Sequence, residues 1–204
     1  RAEDAWLEWR PRIALGGHVL EAPSSVRATL RWTNGIFRAS RSRSGWITRV
    51  DDELVAIPAA LLTPPEDAKD VVFECGEGSM SPNSFDDHEA GRTDSIRLVS
   101  VASLPETIVK ELVGGPSIET TSLPRVTVPL LIWTGSQDGP VPVTRDAWSI
   151  EAEGLLLDSG LLLAQDVIGS PVTEAESGRP VGVVVATARG MMVVAVPVRS
   201  ATTE

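Results

Sequence analysis

The sequence predicts an all-β protein, and three observations carry that expectation. Short segments alternate apolar and polar residues, as half-buried strands do. Turn-forming Gly, Pro, Asn and Asp separate those segments at regular intervals. Only two stretches have helical spacing. At 204 residues the chain can bury a substantial core as one large β-domain or as two small barrels sharing an interface.

Taken in order, Glu3–Arg10 can form a short amphipathic helix before Pro11. Val26–Trp32 alternates cleanly, and Asn34-Gly35 supplies residues that tolerate positive φ in a tight hairpin. Ser44–Val50 and Glu53–Ile57 make a second hairpin across Asp51-Asp52. Val71–Cys75 reads as a strand, and Gly76–Thr93, rich in Gly, Ser, Asn and Asp, reads as a long surface loop. Ser95–Val101 returns to alternation. Leu104–Val113 has helical spacing and ends at Gly114-Gly115-Pro116, the best boundary between halves. Beyond it, Thr127–Thr134, Trp148–Leu157, Leu161–Ala164, Ser170–Glu174, Pro180–Ala186 and Met191–Pro197 read as strands. Ser177-Gly178 and Arg189-Gly190 are turns between them. Trp46 is expected inside the first half, and Trp133 and Trp148 inside the second.

Composition narrows the function classes. The net charge of −10 argues against nucleic acid, because a phosphate backbone demands clustered Lys and Arg. The one basic run, Arg38-Ala-Ser-Arg-Ser-Arg43, is short and reads as a solvated loop. Cys75 stands alone, so no internal disulfide is expected, and an intracellular, reducing compartment is favoured. No apolar run approaches a membrane span; Asp158-Ser159-Gly160 interrupts the longest, Leu155–Leu163. The chain starts at Arg1, not Met, which suggests a piece of a longer protein or complex. Nothing resembles a phosphate loop, a dinucleotide fingerprint or a zinc site, so no cofactor is expected. Of the two histidines, His18 follows Gly16-Gly17 and reads as structural or exposed. His88 lies in Asp86-Asp-His-Glu89, which could ligate a cation but reads first as a solvated acidic loop, so no metal is expected.

Three segments carry a resemblance. Ser44-Gly-Trp-Ile-Thr-Arg-Val50, with Leu54-Val-Ala-Ile-Pro-Ala-Ala60-Leu-Leu62, resembles the "SGF-x-V … LVLTAAHCV" hairpin of the trypsin-like (chymotrypsin-fold) serine proteases. Asp94-Ser-Ile-Arg-Leu98 is similar to their "DIALL". Ile168-Gly-Ser-Pro-Val172, followed by Gly178-Arg-Pro-Val-Gly182-Val-Val, resembles "GDSGSPV … G-x-x-VGI". The resemblance spans Ser25 to Val198. It implies a trypsin-like double barrel of two six-stranded antiparallel β-barrels, residues 25–113 and 114–204, after an N-terminal extension, 1–24.

Carried over position by position, the family's histidine falls on Ala60, its aspartate on Asp94 and its nucleophilic serine on Ile168. A methyl group cannot accept a proton and a sec-butyl group cannot attack a carbonyl. Asp166 stands where the family has the glycine of its oxyanion turn. The expectation is therefore a chain that is not an enzyme: a pseudoprotease with a degenerate triad, kept as a scaffold that binds protein or peptide, with strand addition in the old cleft as one means. Trp6 and Trp9, outside the resemblance, are its candidate interaction residues. Two alternatives stay open. The chain is an active serine endopeptidase with Ser159 or Ser170 as nucleophile and His88 as base, or it is a structural assembly or coat subunit.

Overall fold

In a computed structural model the chain is described over residues 14–15, 18–19, 21–35, 38–118, 127–134, 140–151, 154–158, 167–188 and 191–195. These residues form sixteen strands. A first group comprises β1 (Ala14–Leu15), β2 (His18–Val19), β3 (Ser25–Asn34), β4 (Ala39–Arg49), β5 (Leu54–Pro58), β6 (Lys69–Cys75), β7 (Gly78–Met80), β8 (Glu89–Arg92) and β9 (Ile96–Ser100). After the short helix α1 (Glu106–Glu111) come β10 (Leu130–Ile132), β11 (Val141–Val143), β12 (Trp148–Glu151), β13 (Gly154–Asp158), β14 (Pro171–Glu174), β15 (Pro180–Ala188) and β16 (Met191–Ala195). Two seven-stranded sheets result, in the orders β7-β6-β3-β4-β5-β9-β8 and β11-β10-β14-β15-β16-β13-β12. Every recorded pairing is antiparallel. The sheets therefore hold seven strands each, not six, because β7 adds itself to the outside of β6 and β11 to the outside of β10.

Alternation builds the first sheet as expected. Along β3, Val26, Ala28, Leu30 and Trp32 are buried while Arg27 and Arg31 are exposed. The β3–β4 turn is longer than the tight hairpin that Asn34-Gly35 suggested. Asn34 pairs with Ala39, and Gly35 and Arg38 both take positive φ, +71° and +48°. The β4–β5 turn is closed by Asp51, whose Oδ1 accepts from the amides of Glu53 and Leu54 at 2.9 and 3.0 Å.

The Gly76–Thr93 segment is not a plain loop. It folds into β7, a 3-10 helix over Pro82–His88, and β8. The cause is Phe85, fully buried from that helix and set edge-on to Phe73 with ring centroids 5.3 Å apart. One aromatic in a polar stretch carries no periodicity, so the pattern hides its packing. Trp148–Leu157, expected as one strand, is a hairpin in which Trp148 pairs with Leu157 and Glu151 with Gly154.

Each sheet covers its own apolar cluster. One gathers Val26, Ile47, Val55, Phe73, Phe85 and Ile108; the other gathers Leu130, Ile132, Trp148, Leu157, Val172 and Val184. A third cluster joins the two, packing Val50, Leu54, Ile96 and Leu98 of the first sheet against Val183 and Val185 of β15. Trp133 and Trp148 are buried as expected, whereas Trp46 is only half-buried, on the face of the β3–β4 hairpin opposite the core stripe.

Cys75 belongs to the first cluster, and its burial, with Glu111 nearby, pushes its thiol up to about 12 from 9.0. A thiol kept neutral by the fold stabilises it below the unfolded value, and this contribution is lost as pH rises from about 9 towards 12. Cys75 should stay unreactive to a disulfide reagent at pH 8 in the native protein and react fully in denaturant, while urea midpoints should fall above pH 9. Rapid labelling of the native thiol at pH 8 would contradict this burial.

Candidate functional site

Three short backbone segments meet where the sheets touch. The first follows β5. Pro58 stops that strand, and Ala59–Leu61 turns as a 3-10 helix anchored by fully buried Leu61, which leaves Ala60 half-buried. The second precedes β9. Thr93 Oγ1 accepts from the amides of Ser95 and Ile96 at 3.3 and 3.0 Å, and this local turn presents Asp94 to solvent. A backbone bond from Ala59 N–H to Ser95 O at 2.8 Å ties the two segments together.

The third segment is the turn Val167–Ser170 leading into β14. Its backbone is bonded to both sheets. Ile168 O accepts from Trp46 N–H at 2.8 Å, and Gly169 O accepts from the Thr48 hydroxyl at 2.7 Å. On the other side Gly169 N–H donates to Val184 O at 2.7 Å, and Val184 N–H donates to Ser170 O at 3.0 Å. Gly45 makes the approach possible: a Cβ there would sit 2.5 Å from Ile168 O and 3.1 Å from Leu61 Cδ1. The segments that carry positions 60 and 94 are thus bonded to each other, and the turn that carries position 168 lies against Gly45, which also neighbours Leu61.

The chemistry at this junction is sparse. Ala60 and Ile168 carry neither a proton acceptor nor a hydroxyl. Asp94 is exposed, and its carboxylate makes no hydrogen bond among the described residues. Beside it a cavity of about 260 Å³ lies between Ala59, Leu62 and Thr63 on one wall and Arg92, Asp94 and Arg97 on the other. Ser170 is fully buried and its Oγ has no hydrogen-bond partner among the described residues, so a Ser170–His88 pair is not formed. His88 is exposed at the end of the 82–88 helix. Ser159, Asp166, Trp6 and Trp9 lie outside the described residues.

The acidic segment around His88 is tied into the fold by ion pairs. Asp86 Oδ1 and Glu89 Oε2 grip the buried Arg97 at 2.7 and 2.6 Å, fastening the 82–88 helix to β9. Among the described residues no group of three or more His, Cys, Asp or Glu is placed to hold a metal. No described helix is long and apolar enough to cross a membrane. Behind the Ile168 turn, burial tends to raise the Glu174 carboxyl, but hydrogen bonds from Arg179 and Ser177 and the Arg179 charge outweigh it and hold it below its ordinary value. That pairing closes the β14–β15 hairpin.

Sequence reasoning missed one feature of the junction. Arg43, assigned to a solvated loop, lies in β4, with its guanidinium over the Trp32 ring at 5.7 Å and its Nη1 donating to Ala60 O at 2.5 Å. The alternation of Arg41, Arg43 and Gly45 with serines was the available signal, since every second residue of a strand shares a face.

No protein-family model matches the chain, and neither does any curated protein. Solved structures do. The tobacco vein mottling virus protease aligns with a TM-score of 0.50 and 9% identity over 86% of this chain and 79% of its own. The Rv3671c protease of M. tuberculosis, in its active form, aligns with a TM-score of 0.44 and 15% identity over 86% of this chain and 76% of its own. The likeness is one of fold: the chain has the all-β, chymotrypsin-like protease fold, and the trypsin-like branch is not singled out. The expectation that the chain is not an enzyme is corrected by this likeness, because the solved structure that aligns at a TM-score of 0.50 is a protease. That expectation rested on two aligned positions, whereas a catalytic constellation is defined by the groups that meet in space.

Gly169 is the point where the junction admits no side chain: its φ is +87°, and a Cβ would collide with Trp46 O. Gly169→Ala should cost about 3 kcal/mol or more by urea denaturation. Gly35→Ala, at φ +71° but in open space, should cost about 1 kcal/mol. Equal, small losses would show that the turn does not press on Trp46.

Proposed function

We propose that this chain acts on extended polypeptide, as an endopeptidase-type domain of the chymotrypsin-like fold. In this reading each seven-stranded sheet curls into a barrel, the halves are 25–113 and 114–204, and the substrate lies in the cleft at their junction. The observation that carries the reading is the seam itself, where the Ile168 turn is bonded to Trp46 and the Ala59–Leu61 helix is bonded to the turn that carries Asp94. A second observation supports it. β5 pairs with β4 only at Thr48 and Arg49 and the Ile168 turn takes the Trp46 amide, so the β4 edge before Gly45 lacks a second partner strand among the described ladders. An open edge beside a cleft is what an extended peptide needs for backbone pairing.

Polypeptide is the substrate class because the neighbours that share this fold are named as proteases. The nucleophile cannot be residue 168, an isoleucine, so the candidates remain Ser170 and Ser159, and His88, the candidate base, would have to be brought to either by a rearrangement. Ser170 follows in the same turn, and its hydroxyl is not engaged by any described residue. It is enclosed, so attack from it requires the turn to open around the substrate.

Two measurements test the reading together. Fluorescein-labelled casein should be cleaved slowly by the purified chain, and a fluorophosphonate probe should label one serine. Labelling should disappear in either Ser170→Ala or Ser159→Ala, with casein cleavage falling at least about a hundredfold in the same variant. Absence of both cleavage and labelling in the folded protein would overturn the endopeptidase reading.

A further inference from the structure

The chain is strongly acidic overall, yet the end of the β3–β4 hairpin is basic. Arg41 faces Trp32 across the ladder, and Arg43 faces Leu30, so both arginines extend the stripe formed by Val26, Ala28, Leu30 and Trp32. That stripe is core at one end and a charged surface at the other: Leu30 is fully buried, Arg43 half-buried and Arg41 exposed. Arg31, on the opposite face, is already matched by Glu74 at 2.9 Å. Arg38 and Arg41 have no acidic partner among the described residues. The hydrogen bonds of Arg43 go to the carbonyls of Ala60 and Thr63, which fix its position without neutralising its charge. Beneath it Trp32 Nε1–H is buried and has no acceptor among the described residues.

We infer that this face reads acidic side chains of a polypeptide bound along the hairpin towards the cleft. The inference rests on the polypeptide reading above and adds the chemistry that the substrate must carry. Arg41 and Arg43 are alternate residues of one strand, about 6.8 Å apart on one face, the repeat at which an extended peptide presents its own alternate side chains. Arg43 is anchored on Ala60 O, so a carboxylate held there lies beside the junction. Guanidinium groups are suited to this task because their forked donors match a carboxylate's two oxygens. A nucleic acid fits poorly: the patch is one strand wide, and the net charge of −10 repels a dense phosphate polymer. Arg38 strengthens the assignment. It holds φ +48°, where glycine or asparagine is the easier choice, and places a further cation at the mouth of the strand.

Fluorescence anisotropy with two labelled decapeptides tests this, one alternating Glu and Val and the other alternating Gln and Val. The Glu peptide should bind about tenfold more tightly at low salt, and the preference should shrink as salt rises. Arg38→Ser with Arg41→Ser, both exposed, should erase the preference and leave the melting temperature unchanged. Arg43→Lys, which keeps charge but loses the fork, should weaken the Glu peptide more than the Gln peptide. Equal binding of both peptides would overturn acid recognition while leaving the cleft reading standing. Binding of neither would overturn both. Tighter binding of a single-stranded decanucleotide than of the Glu peptide would also overturn the inference.

Discussion

The Ile168–Gly169 turn pressing on the backbone of Gly45 and Trp46 is the contact on which the rest of the molecule depends. It belongs to the second sheet by Gly169 N–H and Ser170 O, both bonded to Val184, and to the first by Ile168 O and Gly169 O, bonded to Trp46 and Thr48. Two glycines let the chains approach this closely, one from each sheet. Backbone bonds at such a seam exclude water and cannot be replaced by side-chain rearrangement. The apolar cluster joining Val183 and Val185 to Ile96 and Leu98 lies in the same interface and makes the approach favourable.

Because the seam is built from backbone, it is indifferent to much of the side-chain chemistry around it. Ala60 and Ile168 carry neither an imidazole nor a hydroxyl, and the junction still assembles. The geometry of a cleft and the identity of the reacting groups are thus separate properties of this fold. What lies at the junction is a small cavity, an exposed carboxylate at Asp94 and a guanidinium held on the Ala60 carbonyl.

The sequence was most readable where one face of a strand is buried and the other is wet. β3 alternates for that reason, whereas residues 96–99 of β9 and 180–185 of β15 are buried throughout and run largely apolar. It was least readable in short, polar stretches. Phe85 turns Gly76–Thr93 into packed structure through one side chain, which no periodicity reports. Arg43 looked like part of a solvated run because its role depends on Trp32 and Ala60, distant in sequence and adjacent in space. The expectation of an inactive chain failed for a related reason. Two aligned positions say what is missing there and nothing about which other groups can meet.

Native-state hydrogen exchange at Trp46 tests the seam most directly. Its amide donates to Ile168 O across the two sheets, and β3 cannot supply that acceptor. Slow exchange, matching the amides of Gly169 and Val184 and lost together with them in denaturant, is the predicted result. Exchange of the Trp46 amide at the rate of an unstructured peptide, with the β3 amides still protected, would mean that the sheets do not meet there and that no shared cleft exists.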